Sequence, residues 1–353
     1  MKKKIYHAPE YHAAYSLNLS NAEIRLGHKS TCIGSNHKYF NNNIRGTFTL
    51  SKKSFVSSME RILLVKKLNK NADIIHFNYG SSLIDPPWRH HFLLDLPIYK
   101  SSIKKVMTFQ GSDVRMKYDE AIATSREYEI MLGNKLTDST KDGVITEGEV
   151  QRKLEKISKI SKYTDRSFAL NPDLLENIPN GRFLPYPAPL IFKTPKPDYF
   201  QGNRPLKIVH MATNRVLKGT GLIESALKEL SKNYEIDYDI IVKKSHTVAS
   251  KALDWADVLI DQVCLGWYGG QAVEALIRGK PVLCYLRDDY RKTHMPKEET
   301  GIISITHQTI GQEIAKIIDN PEKYKNLSMA GLSFVRSFHN PEKIVKTLYE
   351  NWI

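Results

Sequence analysis

The sequence predicts an α/β protein with two parallel, doubly wound sheets. In both halves of the chain, short apolar runs alternate with amphipathic helices, as in parallel sheets whose strands are joined by helices. A proline-rich stretch separates the halves, and 353 residues suffice for two domains of about 150 residues each. We therefore expect two Rossmann-like domains.

The first half supplies strands and helices in alternation. Strands are predicted at 3–7, 30–34, 72–77, 105–109 and 166–170, and helices at 13–28, 55–68 and 147–163. Residues 116–146 are polar and predict no element. We place the first domain at 1–188 and a linker at 189–205.

The second half repeats the alternation. Strands are predicted at 206–211, 238–242, 258–261 and 281–285, and helices at 221–232, 247–255, 270–278, 310–320, 321–338 and 341–352. The second domain is placed at 206–339, and the C-terminal helix within 340–353 is expected to pack back on the first domain.

Composition excludes several classes of protein. Three widely spaced cysteines do not form a disulfide framework or a cysteine zinc site, and they suit a reducing compartment. No apolar run reaches the ~18 residues that span a bilayer, and the N-terminus has no signal-peptide core. We expect a cytoplasmic protein.

The net charge of +14 is concentrated in the first 110 residues, which hold 17 Lys and Arg against 6 Asp and Glu. This excess points to an anionic partner: a membrane face, a nucleic acid or a phosphorylated substrate. A lysine-rich codon usage is the alternative. The basic helix over 52–70 has a lysine face that is either simply solvated or docked peripherally on anionic lipid at the inner membrane face.

A first candidate site follows the strand at 206–211. The run M-A-T-N-R-V-L-K-G-T-G at 211–221 leaves a strand and opens a helix, the place where doubly wound sheets bind ligands. Its Arg215 and Lys218 suit a diphosphate. The alternative is a basic loop that only caps the helix.

A second candidate site follows the strand at 258–261. Gly269 and Gly270 allow a ligand to approach the backbone closely, and Glu274 lies one turn into an otherwise apolar helix. A buried carboxylate needs a partner, and ribose hydroxyls would supply one.

These residues resemble the donor side of GT-B glycosyltransferases, and most of all the retaining group called family 4. The resemblance is carried by A-D-V-L-I-D at 256–261, G-W-Y-G at 266–269 and A-V-E-A-L-I-R-G-K-P-V at 272–282, and it covers nearly the whole chain except 116–165. It implies two Rossmann-like domains facing across a cleft, and metal-independent, retaining transfer from a nucleotide-sugar. Glu274 would hold the ribose, and Lys218 with Gly219 would meet the diphosphate.

The sites expected on this basis fall into three sets. The donor-binding set is Thr213, Asn214, Arg215, Lys218, Gly219, His246, Gly269, Gly270, Gln271, Ala272 and Glu274. The acceptor-side set is His7, Tyr11, His12, His76, Asn78 and Ser112. The catalytic set is Gln110, Asp113, Lys218 and Glu274. No metal site or cofactor is expected, because the histidines lack zinc-motif spacing.

Two departures from the family pattern bear on activity. Gly266 stands where the family has the first Glu of its E-x7-E motif, with Asp261 and Gln262 nearby. Gln110 stands where the family has His, and an amide cannot take up a proton at neutral pH.

We therefore expect a glycosyltransferase acting on a glycan or lipid-linked acceptor in bacterial surface polysaccharide or lipopolysaccharide synthesis. The alternatives are a non-catalytic GT-B nucleotide-binding protein, a sugar-nucleotide epimerase, and a nucleic-acid-binding protein. The sequence has no recognised nucleic-acid-binding motif, so no nucleic-acid partner is expected.

Overall fold

The computed structural model describes residues 2–10, 14–35, 47–50, 54–86, 92–134, 136, 143–189 and 200–353. The chain forms two compact units. Unit 1 comprises Met1–Met116, Glu147–Leu190 and Asn340–Ile353, and unit 2 comprises Lys117–Thr146 and Ile191–His339. The chain therefore enters unit 2 twice and ends in unit 1. Most of the expected linker, residues 190–199, lies outside the described residues.

The strands and helices alternate along the chain as the sequence predicted. The strands are β1 (Lys4–Glu10), β2 (Lys29–Ser35), β3 (Thr47–Leu50), β4 (Ile74–Asn78), β5 (Lys104–Phe109), β6 (Arg166–Ala169), β7 (Arg182–Phe183), β8 (Leu206–Ala212), β9 (Ile236–Val242), β10 (Val258–Gln262), β11 (Val282–Cys284) and β12 (Ile302–Ser304). The helices are α1 (Tyr15–Arg25), α2 (Ser54–Asn71), α3 (Glu120–Met131), α4 (Glu147–Tyr163), α5 (Arg215–Lys218), α6 (Thr220–Leu230), α7 (His246–Trp255), α8 (Gly270–Leu276), α9 (Asp288–His294), α10 (Ile310–Ile318), α11 (Pro321–Phe338) and α12 (Pro341–Leu348).

Each unit is built on one parallel sheet, which confirms the expected fold class. The sheet of unit 1 has the strand order β3-β2-β1-β4-β5-β6-β7, and that of unit 2 has the order β12-β11-β10-β8-β9. In each sheet the order reverses once, between β1 and β4 and between β8 and β10. Ligands of doubly wound sheets bind beyond the carboxyl ends of the two strands at such a reversal.

The segment 116–146, for which the sequence predicted no element, contains α3 and belongs to unit 2 from Lys117 onward. Ile122 is buried in the core of unit 2, and the Ser125 hydroxyl donates to the carbonyl of Val216 at 2.8 Å. The apolar residues of α3 are spread around the helix, and Ile130 and Met131 are exposed, so packing against unit 2 stabilises it more than its sequence pattern does.

The C-terminal segment packs on the first part of the chain. Ile344, Val345, Leu348 and Tyr349 are buried in one cluster with side chains of α1 and of the strands of unit 1. Arg166 of β6 donates to the carbonyls of Leu348 and Glu350 at 2.9 and 2.7 Å. Residues 340–353 are therefore an integral layer of unit 1.

A buried polar network ties this segment to the sheet. The Tyr349 hydroxyl donates to Glu23 at 2.9 Å and lies 3.1 Å from Nδ1 of His76, whose Nε2 lies 2.7 Å from the Thr108 hydroxyl. Nε2 of His7 lies 2.9 Å from Glu23. Burial alone would raise the pKa of Glu23, but the His7 charge and the hydrogen bonds outweigh burial and lower it.

Among the residues that the structure describes, none of the helices combines the length and the apolar character that a membrane span requires.

We expect the Tyr349→Phe substitution to destabilise unit 1 by about 1.5–3 kcal/mol, because it removes a hydrogen bond to a buried carboxylate and fills no new space. Thermal and urea unfolding would measure the loss. Tyr238→Phe is the matched control, since Tyr238 is 37% exposed on β9. Equal stability of the two variants would show that the Tyr349 hydroxyl contributes nothing.

Candidate functional site

The polar side chains of unit 2 that sequence analysis selected follow adjacent strands. Lys218 and Gly219 come after β8, and Asp261 and Gly269 belong to the end of β10 and the loop after it. These are the two strands between which the strand order reverses. The fold therefore brings the two predicted donor-side motifs together at the place where such sheets bind ligands.

A buried carboxylate joins the two motifs. Asp261 is fully buried, and its Oδ1 lies 2.5 Å from Nζ of Lys218 while its Oδ2 accepts from the backbone N–H of Gly269 at 2.8 Å. The Lys218 side chain is 17% exposed, so part of it is accessible at the surface of unit 2. An ammonium group has three donors, and one bond to Asp261 fixes its position.

Two glycines set the backbone around this pair. Gly219 has φ +71°, and a Cβ there would lie 2.3 Å from Cγ2 of Val263, so only glycine fits where the two motifs touch. Gly266 also has φ +71°, and a Cβ would lie 3.0 Å from the Arg287 side chain. A Glu at position 266, as in the family motif, would therefore be strained.

The amide of Gln262 does not replace that Glu. Its Oε1 accepts from the backbone N–H groups of Cys264 and Leu265, both at 2.6 Å, and its Nε2 donates to the carbonyl of Tyr285 at 2.9 Å. Because Gln262 is fully buried and holds the loop from inside, its side chain shapes the site without facing it.

A second pair lies on α7 and α8. Nε2 of His246, the first residue of α7, lies 3.1 Å from Oε1 of Glu274 and 3.2 Å from Oε2. The side chains are 41% and 24% exposed. The hydrogen bond to Glu274 raises the pKa of His246, and the Glu274 charge adds to this against partial burial. Both predicted donor-side residues are thus accessible and in contact.

The remaining donor-side residues have mixed positions. Arg215 donates to the buried Glu129 of α3 at 2.9 Å and to Glu224 of α6 at 3.0 Å. Two carboxylates therefore pair with Arg215 in this structure, and its role at the donor stays a prediction. The Asn214 side chain caps α5 by accepting from the N–H of Leu217 at 3.0 Å, so its side-chain oxygen is used within the fold.

The other positions in this set differ in accessibility. Thr213 is exposed, Gly270 and Gln271 are half-buried, and Ala272 is fully buried with its N–H donated to the carbonyl of Gly269 at 3.1 Å. The Ala272 side chain and N–H are therefore used inside the protein.

In unit 1, the predicted catalytic residues follow β5. Both carboxylate oxygens of Asp113 lie within 3.2 Å of the N–H of Gln110, and Oδ1 accepts from the N–H of Gly111 at 2.7 Å. Burial raises the pKa of Asp113 to about 6, against the lowering effect of these bonds. The Gln110 amide donates to Oδ1 of Asn78, at the end of β4.

The predicted acceptor-side residues are divided by burial. Ser112 is exposed, and its hydroxyl lies 2.6 Å from that of Tyr79, which follows β4. His7 and His76 are fully buried in the network with Glu23 and Tyr349, which corrects their expected role at an acceptor surface. Asn78 is also buried. Tyr11 and His12 lie outside the described residues.

Sequence analysis noted Asp261 near the missing Glu of the family motif but left it out of the site sets, although a carboxylate that ends a buried apolar strand was the available signal. It had no signal for Glu129, which comes from α3 and lies 86 positions before its partner Arg215. In the part of the chain that the structure describes, no three His, Cys, Asp or Glu side chains cluster as metal ligands would.

Comparison with known proteins defines the fold. No family model and no curated protein sequence matches this chain. Three solved structures with a similar fold are sucrose-phosphate synthase from Thermosynechococcus elongatus (13% identity, 98% of this chain and 97% of that one, TM-score 0.62), an α-glucosyltransferase in complex with UDP and DNA (11%, 98% and 98%, 0.60), and HepE from Anabaena in complex with UDP-glucose (10%, 99% and 98%, 0.62). The two parallel-sheet units therefore constitute the GT-B fold that the sequence predicted.

We expect Lys218→Ala to lower the free energy of unfolding by about 3–5 kcal/mol, because it leaves the buried carboxylate of Asp261 without a cation. Adding Asp261→Asn to Lys218→Ala removes that charge, so the double variant should regain most of the loss. Urea unfolding measures both. Lys232→Ala is the control, since Lys232 pairs with Glu229 at the surface. Additive losses in the double variant would contradict the pairing.

We expect the pKa of His246 to fall toward 6.5 in Glu274→Gln, as followed by NMR of the histidine ring protons. Since the raised pKa belongs to the folded state, its stabilising effect is present below about pH 6.5 and is lost as the pH rises through the His246 pKa. The stability difference between the natural chain and Glu274→Gln should therefore shrink with rising pH. Glu229→Gln, at an exposed site, should leave the His246 titration unchanged.

Proposed function

We propose that this protein is a glycosyltransferase that takes a nucleotide-sugar donor in unit 2. The observation that carries the proposal is the partly exposed Lys218 side chain, held by buried Asp261 at the reversal of strand order, with the His246–Glu274 pair on the helices that follow β9 and β10. A fixed cation suits a diphosphate, and an accessible carboxylate suits ribose hydroxyls.

In this proposal Lys218 stabilises the charge that develops on the leaving diphosphate. The bond from the sugar's anomeric carbon to the diphosphate oxygen breaks, and a bond to the acceptor hydroxyl oxygen forms. The acceptor proton passes to the leaving diphosphate, so no protein base is required. The Lys218 side chain positions the diphosphate and neutralises its developing charge. These two effects supply most of the rate enhancement of such transfers.

Two finer features belong to the same proposal. Transfer with retention of anomeric configuration follows from the resemblance to family 4, and a diphosphate that acts as base fits a site with Gln110 in place of His. We also propose that donor binding needs no divalent metal, since Lys218 supplies positive charge directly. Activity should therefore persist in a chelator.

For the acceptor side, the proposal uses accessible residues of unit 1. Gln110, Ser112 and Tyr79 offer amide and hydroxyl groups at the carboxyl ends of β4 and β5, which suit sugar hydroxyls. The proposed acceptor is a glycan or a lipid-linked glycan of a bacterial surface polysaccharide or lipopolysaccharide. The α-glucosyltransferase of similar fold was solved with DNA, but 11% identity transfers no acceptor to this chain.

UDP is the first donor nucleotide to test, because HepE and the α-glucosyltransferase were solved with UDP-glucose and UDP. We expect one nucleoside diphosphate among UDP, GDP and ADP to raise the melting temperature in the presence of a chelator, with CMP as a further comparison. A ligand at about 100 times its Kd stabilises the native state by about 2.7 kcal/mol. The shift should vanish in the Lys218→Ala/Asp261→Asn double variant, whose fold is not burdened by an unpaired buried charge.

Glu274→Gln should weaken binding of the same nucleotide by roughly ten- to hundredfold, the cost of a lost charge-assisted hydrogen bond. Lys232→Ala and Glu229→Ala are surface controls in unit 2 and should bind like the natural chain. Absence of a shift with every nucleotide, or an unchanged shift in the double variant, would refute the donor site.

A non-catalytic nucleotide-binding protein is the second candidate, and the Gly266 backbone favours it. Gly266 has φ +71°, and a Cβ at this position would lie close to the Arg287 side chain, so the Glu of the family motif would be strained here. In the family, that Glu contacts the transferred sugar. Nucleotide release from each sugar nucleotide, measured with and without acceptor extracts, separates the two functions. Nucleotide binding without turnover would show that the protein is a non-catalytic nucleotide-binding protein.

A further inference from the structure

Helix α2 of unit 1 exposes an apolar strip to solvent. Val56 is 41% exposed, Met59 47%, Ile62 45% and Leu63 59%. Isolated exposed apolar residues are ordinary, but four within eight positions of one helix form a contiguous patch.

This strip is not needed to hold the helix in the fold. Leu64, Val65 and Leu68 are buried in the core of unit 1 and attach α2 to the sheet. Arg61 adds a bond from its guanidinium to the carbonyl of Leu83 at 2.6 Å. The apolar strip therefore faces away from the contacts that position α2.

Lysines continue the same face of the helix. At 3.6 residues per turn, Met59, Leu63, Lys66 and Lys70 recur at intervals of three and four positions and form one stripe. Lys67 is exposed beside them, and Glu60 is the single acidic residue of α2. The exposed face is thus apolar in its first half and cationic in its second.

A neighbouring segment extends this surface. The Asn69 amide donates to the carbonyl of Ile98 at 2.9 Å, and Oδ1 of Asn69 accepts from the N–H of Lys100 at 2.9 Å. Ile98 is 54% exposed, and Lys100 is also exposed. Ile98, another exposed apolar side chain, and Lys100 therefore lie beside the lysine-rich second half of α2.

We propose that these side chains form a docking surface for an anionic lipid bilayer. The docking surface consists of Val56, Met59, Ile62, Leu63 and Ile98 with Lys66, Lys67, Lys70 and Lys100. An apolar strip flanked by lysines is what a helix lying in the plane of the membrane interface requires: the apolar side chains enter the acyl boundary and the lysines meet lipid phosphates. Charge complementarity favours a bilayer over a second copy of this chain, whose same face carries the same positive charge.

The basic segment selected from the sequence, 52–70, coincides with this helix, although Lys52 and Lys53 lie outside the described residues. The earlier alternatives were a solvated lysine face and docking on lipid. The exposed apolar strip, which a lysine count does not reveal, distinguishes them, since a merely solvated face gains nothing from exposing four large apolar side chains. The proposal does not depend on the donor site, because vesicle binding requires no sugar nucleotide.

Vesicle co-sedimentation of the full chain tests the docking surface. We expect binding to vesicles of phosphatidylethanolamine and phosphatidylglycerol, and little binding to vesicles of phosphatidylcholine alone. Ile62→Gln/Leu63→Gln should weaken binding at least about tenfold through lost apolar burial. Lys66→Gln/Lys67→Gln/Lys70→Gln should weaken it comparably and reduce its dependence on salt.

Matched controls come from unit 2. Met329→Gln replaces a side chain that is 52% exposed, and Lys228→Gln/Lys232→Gln/Lys325→Gln removes three lysines elsewhere. Both variants should bind vesicles like the natural chain. All three natural cysteines are buried, so Leu63→Cys provides one reactive thiol for a polarity-sensitive dye. Its emission should shift to the blue with anionic vesicles, whereas the same dye on Met329→Cys should not respond.

Three results would overturn the proposal. The chain would stay in the supernatant with anionic vesicles, or the docking-surface variants would bind as tightly as the unit 2 controls. Alternatively, sedimentation would show a dimer in the natural chain that Ile62→Gln/Leu63→Gln converts to a monomer, which would assign the strip to self-association.

Discussion

The buried carboxylate of Asp261 is the constraint from which the candidate donor site follows. A charge that is completely removed from water must be neutralised by partners inside the protein, and here those partners are the Lys218 ammonium and the Gly269 N–H. One partner follows β8 and the other follows β10, so the same ionised group holds both loops at the reversal of strand order. The partly exposed Lys218 side chain is thus held in place by the fully buried carboxylate of Asp261. This arrangement limits side-chain motion at the surface without placing the fixing group within reach of a ligand.

The two units use polar residues at their strand reversals in opposite ways. In unit 2, Lys218, His246 and Glu274 remain accessible. In unit 1, the paired strands β1 and β4 place His7 and His76 side by side, with ring centroids 5.0 Å apart, and both rings are fully buried. Burial lowers the pKa of His76 well below its usual value, and the neighbouring His7 lowers it further, which favours the neutral ring. The accessible polar side chains of unit 1, Gln110, Ser112 and Tyr79, follow the ends of β4 and β5.

The parts that sequence analysis predicted correctly depend on local patterns. Strand and helix alternation predicted both parallel sheets. The failures concern long-range contacts. Nothing near Arg215 indicates that Glu129 would pair with it. Nothing near His7 indicates that Glu23 would pair with it, or that a tyrosine from the other end of the chain would donate to the same Glu23. Helix α3 escaped detection because its stability comes from a core that forms elsewhere in the sequence.

The return of residues 340–353 to unit 1 has a consequence for biosynthesis. Strands β1 to β5 of unit 1 are synthesised before any of unit 2, yet the layer that contains Tyr349 is made only after all of unit 2. Until then, Glu23 lacks its tyrosine donor, and the apolar surface of α1 that packs on α12 stays open to water. The first unit therefore completes folding after the second has been synthesised. A chain interrupted before Asn340 would present a conspicuous target for chaperones and proteases, so cells would retain few incomplete copies of this protein.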